Sequence, residues 1–315
     1  MKTIGVLTSG GDAPGMNACI ATIAERADGR DVRVRGIFRG FVGLLEGNYL
    51  PIAGEVSGLA RRGGSFLGTS RNGDVEKALK QHGHQGLFEA CGIDALIVLG
   101  GGGSLGAAAS LAEAGARIIG IPCTIDNDVP CANYCIGFDS AVNRALRAVD
   151  EILDTAESLS DRVFLVETMG GQTGHIALAT AYSAGADAVF INEQPIDIDG
   201  AALRIKTKMD AGATHGLAIV CEDMGTAEIA EKLQDGVGRK VRLTVLGHIQ
   251  RGGNPTFMDR QIARQYGETA VEMVLSGESG KMLTYACGDI RSMPLVDTIG
   301  KSKPIDLDKY KAVNG

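Results

Sequence analysis

Five residues, Thr124-Ile125-Asp126-Asn127-Asp128, put two carboxylates and a hydroxyl directly after an apolar run. Carboxylates two apart in an extended loop can divide the work between proton acceptor and metal or hydroxyl orienter. The same pentapeptide after Pro122 is also ordinary turn chemistry. A second group is glycine-rich: Gly10-Gly11-Asp12-Ala13-Pro14-Gly15 stands between an apolar run and an amphipathic run. Backbone N–H groups in such a turn can face an anion, aided by the helix N-terminus that follows, or can simply close a tight connection. A third, Gly101-Gly102-Gly103-Ser104-Leu105-Gly106, fits the spacing G-x-G-x-x-G. That spacing alone is weak evidence for a dinucleotide. A ribose-binding acid is wanted at the end of the next strand, and the acid found there, Asp126, sits in the polar loop instead.

Cationic groups stand at two further turns. Leu246-Gly247-His248-Ile249-Gln250-Arg251-Gly252-Gly253 supplies Arg251 and His248, which can hold a phosphate, the arginine through bidentate hydrogen bonds. Arg242, at the start of the same strand, would lie ~13–20 Å away if the chain is extended, so it needs another route to that ligand. Phe66-Leu67-Gly68-Thr69-Ser70-Arg71 carries one arginine at the tip of a Gly/Ser turn, a position that also suits a solvated charge. His82 and His84 fall in a polar stretch expected to be exposed, and no His/Cys spacing suits a metal. Cys131 and Cys135 are expected to pack as apolar thiols. No Walker-type P-loop occurs.

These turns need strands and helices to hold them. Apolar runs at Thr3–Thr8, Ala95–Leu99, 117–121, 163–166, 188–191, 217–221 and 243–246 predict strands. Ile20, Ile23, Ala24 and Ala27 repeat at helical spacing after the first glycine turn, and a longer helix is expected from Asp139 or Ser140 through Leu153. Strands alternating with helices predict βαβ units, a mainly parallel sheet and ligands beyond the carboxyl ends of the strands.

Composition narrows the classes. The 315 residues correspond to about two domains at ~150 residues each. Of these, 45 are glycine, about twice the usual ~7% share. They cluster after apolar runs rather than in linkers. A net charge of −7 argues against an extended nucleic-acid surface, so any anionic ligand must be met by a few placed arginines. Seven scattered cysteines without a CxxC pair predict reduced thiols of a cytoplasmic protein. With no signal-peptide pattern at Met1–Gly5 and no apolar run of about 18 residues, neither secretion nor a membrane span is expected.

Taken together and in order, LTSGGDAPGMN (Leu7 to Asn17), GGSFLGTSR (Gly63 to Arg71), GIPCTIDND (Gly120 to Asp128), GFDSA (Gly137 to Ala141), RVFLVETMG (Arg162 to Gly170) and VLGHIQRGG (Val245 to Gly253) resemble the 6-phosphofructokinase family over nearly the whole chain. The resemblance implies an α/β fold of two three-layer αβα domains with mainly parallel sheets. Residues 1–138 with 252–301 would form a phosphoryl-donor domain, and 139–251 with 302–315 a sugar-phosphate domain. It implies ATP and fructose 6-phosphate as partners, Mg²⁺ as cofactor, and a homotetramer in which a neighbouring subunit lends arginines.

Carried over residue by residue, the resemblance makes Asp126 the base for the sugar 1-hydroxyl, with Thr124 and Asp128 orienting that hydroxyl or the metal. Arg71 would meet the transferring phosphate. Gly11, Arg71, Asn72, Gly101, Gly102, Gly103 and Ser104 match donor-binding positions. Arg162 and Arg242 would reach the sugar 6-phosphate across a subunit interface, beside His248 and Arg251. Met169, Gly170, Gly171 and Glu222 would line the sugar.

Three departures stand out. Gly102 replaces the acid that the family uses to hold Mg²⁺ on the donor, and Gly171 replaces an arginine. Ala21 and Glu25 occupy places where bacterial members bind an allosteric nucleotide with arginines, so that effector site is expected to be absent. Gly103 and Cys123 differ from the acid and lysine of diphosphate-dependent relatives, which favours ATP. The expected activity is transfer from ATP to fructose 6-phosphate. The alternatives are an impaired sugar-phosphate-binding homologue, a kinase for another phosphorylated ketose, and use of diphosphate.

Overall fold

The structure is a computed structural model that describes residues 2–71, 74–158, 160–286 and 288–315. In chain order it begins with strand β1 (Thr3–Thr8), helix α1 (Met16–Asp28), β2 (Arg33–Ile37), α2 (Phe41–Glu46), β3 (Tyr49–Ile52) and α3 (Val75–Cys91). Next come β4 (Ala95–Gly100), α4 (Gly102–Glu113), β5 (Ile118–Pro122), α5 (Phe138–Ser158), β6 (Arg162–Thr168) and α6 (His175–Ala184). The chain continues through β7 (Ala188–Phe190), α7 (Ile198–Asp210), β8 (His215–Cys221), α8 (Thr226–Val237) and β9 (Lys240–Val245). It closes with α9 (Phe257–Ser276), β10 (Lys281–Ala286), β11 (Asp289–Pro294) and α10 (Leu307–Asn314).

Two compact units result, one of residues 1–139 and 251–303, the other of 140–250 and 304–315. The first holds a sheet in the order β11-β10-β5-β4-β1-β2-β3. Its centre is parallel, and only the outer pairs β2/β3 and β10/β11 run antiparallel. In β4, Leu96 and Val98 pack with Leu87 and Phe88 of α3 and Leu105 of α4, while Ile97 between them is buried as well. Both faces are therefore covered, which is why this strand is apolar at successive positions instead of alternating.

The second unit shows the same logic more sharply. Its parallel sheet runs β7-β8-β6-β9. Phe164 and Val166 join a cluster with Ala145 and Val149 of α5 and Leu178 of α6. Val163 and Leu165 join another with Ile205 of α7 and Leu233 of α8. Side chains alternate across a strand, so these are opposite faces, and the unit is helix, sheet, helix.

The expected strands are present, with ends displaced by a few residues. Four further strands, β2, β3, β10 and β11, carry no long apolar run. In β2 the arginines Arg33 and Arg35 interrupt the pattern, and β11 is exposed at Asp289, Arg291, Ser292 and Pro294. β9 is also an exception, since Leu243 and Val245 of this edge strand are 41% and 56% exposed. The polar stretch with His82 and His84 is helical, broken at Gly83 (φ 62°), and His84 is half-buried with its ring edge-on to Phe88. Cys135 packs in the core as expected, but Cys131 does not: it is exposed, in a left-handed turn (φ 60°). No helix among the described residues is long and apolar enough to cross a membrane.

Candidate active site

In the first unit, the C-terminal ends of β1, β4 and β5 open onto one cavity of about 400 Å³. Its wall includes Gly11, Arg71, Gly101, Gly102, Gly103, Ser104, Thr124, Asp126 and Asp128. Three segments remote in sequence thus meet where a doubly wound sheet exposes strand ends. Asn72 lies outside the described residues. Ser9, Phe41, Ser70 and Ala107 also line the cavity with no signal in the sequence, and so does Cys123, which the sequence marks only as a residue unlike that of diphosphate-dependent relatives. Ser9 and Ser70 act together: the Ser70 carbonyl accepts from the Ser9 hydroxyl (3.3 Å) and from the Gly10 amide (3.1 Å), which ties the first glycine turn to the Arg71 turn.

The polar loop after β5 is held from within. The Asp126 amide donates to Thr124 Oγ1 at 3.2 Å. Asn127, buried and left-handed (φ 53°), accepts the Cys135 amide at 3.0 Å. Asparagine tolerates that backbone better than most residues. With Asn127 turned into the protein, its neighbours Asp126 and Asp128 are left to line the cavity. Burial pushes the Asp128 carboxyl above its usual range, opposed in part by a backbone hydrogen bond and the nearby Lys303 ammonium.

The Gly102–Ser104 segment opens α4, where amides lack partners inside the helix. Neither Gly102 nor Gly103 is required by sterics: a Cβ on either meets nothing within 4 Å. Gly11 is different, because a Cβ there would collide with the Arg251 guanidinium. Arg251 Nη1 donates to the Asp12 carbonyl at 3.3 Å, so this arginine is engaged at the first glycine turn within the first unit.

The sugar-side candidates Met169, Gly170, Gly171 and Glu222 come together in the second unit. Glu222 Oε1 accepts the amides of Gly170 (2.9 Å) and Gly171 (2.6 Å). Gly170 (φ 155°) and Gly171 (φ 58°) both have positive φ, so an arginine at 171 would be strained. Arg162 begins β6 and Met169 follows its end, a separation of ~20 Å at strand spacing. Arg242 stands opposite Phe164 on β9, near Arg162 rather than near the Met169 turn, and His248 is exposed beyond that strand. Within one chain the structure therefore does not bring Arg162 or Arg242 to Met169. At the expected effector position, Ala21 is buried and Glu25 faces Arg264 at 3.6 Å.

Among the described residues no three His, Cys, Asp or Glu side chains converge on a metal-sized centre. Mg²⁺ is commonly held by one or two carboxylates together with substrate phosphates, so Asp128 and Asp126 in one cavity fit such an ion.

Glycine turns, helix N-termini and paired carboxylates at parallel strand ends define an α/β protein suited to holding phosphate groups. The family profile for phosphofructokinase matches residues 3–274. An ATP-dependent 6-phosphofructokinase of Bacillus cytotoxicus is 38% identical over 314 residues, covering 99% of this chain and 98% of that one. One from Natranaerobius thermophilus is 40% identical over 314 residues, with the same coverage. The crystal structure of Pichia pastoris phosphofructokinase in the T-state superposes with a TM-score of 0.87 and 31% identity, over 94% of this chain but 35% of the yeast chain. A pyrophosphate-dependent phosphofructokinase of Marinobacter aquaeolei shares the fold at a TM-score of 0.84 and 22% identity, over 98% of this chain and 86% of that one. The chain belongs to the phosphofructokinase family.

Proposed function

We propose that this protein is an ATP-dependent 6-phosphofructokinase, moving the γ-phosphoryl group of ATP to the 1-hydroxyl of fructose 6-phosphate. The observation that carries the reading is the single cavity in which Asp126, Thr124 and Asp128 face the glycine-rich start of α4. Relatives named for this activity match almost end to end.

Phosphoryl transfer asks for in-line positioning and charge neutralisation more than for covalent help. Asp126 accepts the proton of the 1-hydroxyl as its oxygen bonds to phosphorus and the bond to ADP breaks. Thr124 holds the loop that aims this carboxylate. The α4 amides at Gly102–Ser104, Gly11 and Arg71 hold the donor phosphates, and Arg71 meets the transferring group. Asp128 holds Mg²⁺, which neutralises charge on those phosphates when bound. The second unit takes the sugar through Met169, Gly170, Gly171 and Glu222. Arg162 and Arg242 serve the 6-phosphate of a neighbouring subunit, with His248 and Arg251, in a homotetramer.

ATP is favoured over diphosphate by space and by surface. The openness at Gly102 and Gly103 leaves room for a nucleoside, and Phe41 with Ala107 supplies apolar wall that diphosphate alone would not use.

Phosphorus NMR of mixtures offered ATP and then diphosphate tests this. Fructose 1,6-bisphosphate and ADP should appear with ATP and Mg²⁺. Product from diphosphate alone, or tight sugar binding without product, would overturn the proposal.

A further inference from the structure

The turn that follows β6 is unusual in how its backbone is satisfied. The amides of Met169, Gly170, Gly171 and Gly174 all donate to side-chain oxygens. Glu222 takes two of them and Glu193 takes Gly174. The fourth acceptor is Gln250, a fully buried residue at the end of the His248 turn. Its Oε1 accepts the Met169 amide at 2.7 Å, and its Nε2 donates to the Ala141 carbonyl of α5 at 3.4 Å.

Met169 is itself buried, so its amide has no easy access to water, and losing this acceptor would leave a buried donor unmade. The rest of the turn is fixed by Glu222, Glu193 and the Thr173 bonds to the Gly170 carbonyl, and Gln250 is what holds its first residue. Gly170 and Gly171 adopt left-handed or related conformations and have no side chains to pack. A glycine pair of this kind is conformationally costly to order and must be fixed by its neighbours.

We propose that Gln250 is a positioning residue for sugar-phosphate binding: it tethers the Met169–Gly171 turn to α5 and so sets the surface that meets the sugar. This rests on the sugar role proposed above for Met169, Gly170 and Gly171. Gln250 itself touches no substrate in this scheme. It acts through the Met169 amide, at a position where an apolar side chain of equal size would pack but could not accept the bond.

The test compares Gln250→Leu with Gln250→Glu. Leucine removes both hydrogen bonds. Glutamic acid, kept neutral by burial, can accept from Met169 and donate to Ala141. Gln250→Leu should raise KM for fructose 6-phosphate about tenfold or more, the factor set by one lost buried hydrogen bond. KM for ATP and kcat should stay within about twofold, the pattern of lost uniform binding. Gln250→Glu should hold KM for the sugar within about threefold of wild type. Hydrogen exchange read by mass spectrometry should quicken in residues 168–174 of the leucine variant and be restored in the glutamate variant.

A leucine variant with faster exchange but unchanged sugar KM would overturn the positioning role, as would equal rises in both KM values with a lowered Tm. If wild type fails to phosphorylate fructose 6-phosphate, the proposed function falls. The exchange arm would still decide whether Gln250 tethers the turn, since it needs no turnover.

Discussion

Arg251 lies over Gly11 with its guanidinium where a β-carbon would otherwise stand, and it is only 14% exposed in its side chain. The glycine therefore leaves the space that a neighbouring arginine occupies. Its backbone φ does not demand glycine, so the constraint is space alone. Gly11→Ala should push the end of the Arg251 side chain aside and break its 3.3 Å bond to the Asp12 carbonyl. A flexible side chain can move, so stability should fall by only ~1 kcal/mol, about one hydrogen bond. KM for the anionic substrates should rise about tenfold. Steady-state kinetics beside thermal unfolding would check this; a large Tm loss with unchanged KM would sink it.

Gly102 offers the opposite case. Nothing within 4 Å opposes a side chain there, and it is the first residue of α4. An acid in a first helical turn is favourable by ~0.3–1 kcal/mol. Gly102→Asp should therefore leave Tm unchanged or slightly higher. It should also add a carboxylate to the wall shared with Asp126 and Asp128, and so raise kcat by roughly 10- to 100-fold through better-held Mg²⁺. Kinetics over a Mg²⁺ titration would decide. A variant as stable as wild type but no faster would show that the missing acid is not what limits turnover.

What the sequence made legible follows from burial. β1, β4 and β5 are covered on both faces, so their apolar runs are unbroken. β2, with exposed Arg33 and half-buried Arg35, and β11, exposed at four of its six positions, carry no such signal. The cavity residues Gly102, Thr124 and Asp126 were found because polar and glycine residues after strand runs are conspicuous. Phe41 was not, since an aromatic beside Leu44 and Leu7 has the look of core, and it is part of that core. Gln250 stood in a motif that drew attention to His248 and Arg251. Its importance depends on being buried against Met169, which no periodicity in the chain exposes.

The thiols give a prediction that needs no substrate. Burial pushes Cys91 up to about 11 and Cys135 up to about 12, and raises Cys19 and Cys123 as well. In the native protein at pH 8, iodoacetamide should label Cys131, the exposed one among the described residues, and spare these four. The pH dependence has a definite sign. Unfolded thiols ionise near 9.0 while the folded ones stay protonated, so the folded state binds more protons above that pH. Their contribution is complete below pH 9 and is lost as pH rises through about 11. Chemical unfolding at pH 8 and pH 10.5 should show the decline; rapid native labelling of Cys19 or Cys135 at pH 8 would contradict the burial.

Asp126 carries the heaviest claim, because it alone is assigned the proton. Asn is nearly isosteric and can keep the loop, since the bond from the Asp126 amide to Thr124 Oγ1 comes from the backbone and survives the change. Asp126→Asn should thus fold like wild type and bind fructose 6-phosphate within about threefold by calorimetry, while kcat falls by roughly 10²–10⁴, the usual worth of a general base. Asp128→Asn gives the contrast. If Asp128 acts by holding the metal, raising Mg²⁺ should recover part of its loss and none of the loss at 126. Recovery of the Asp126 variant by Mg²⁺, or a loss of sugar affinity that accounts for its slow turnover, would move the base to another residue of the cavity.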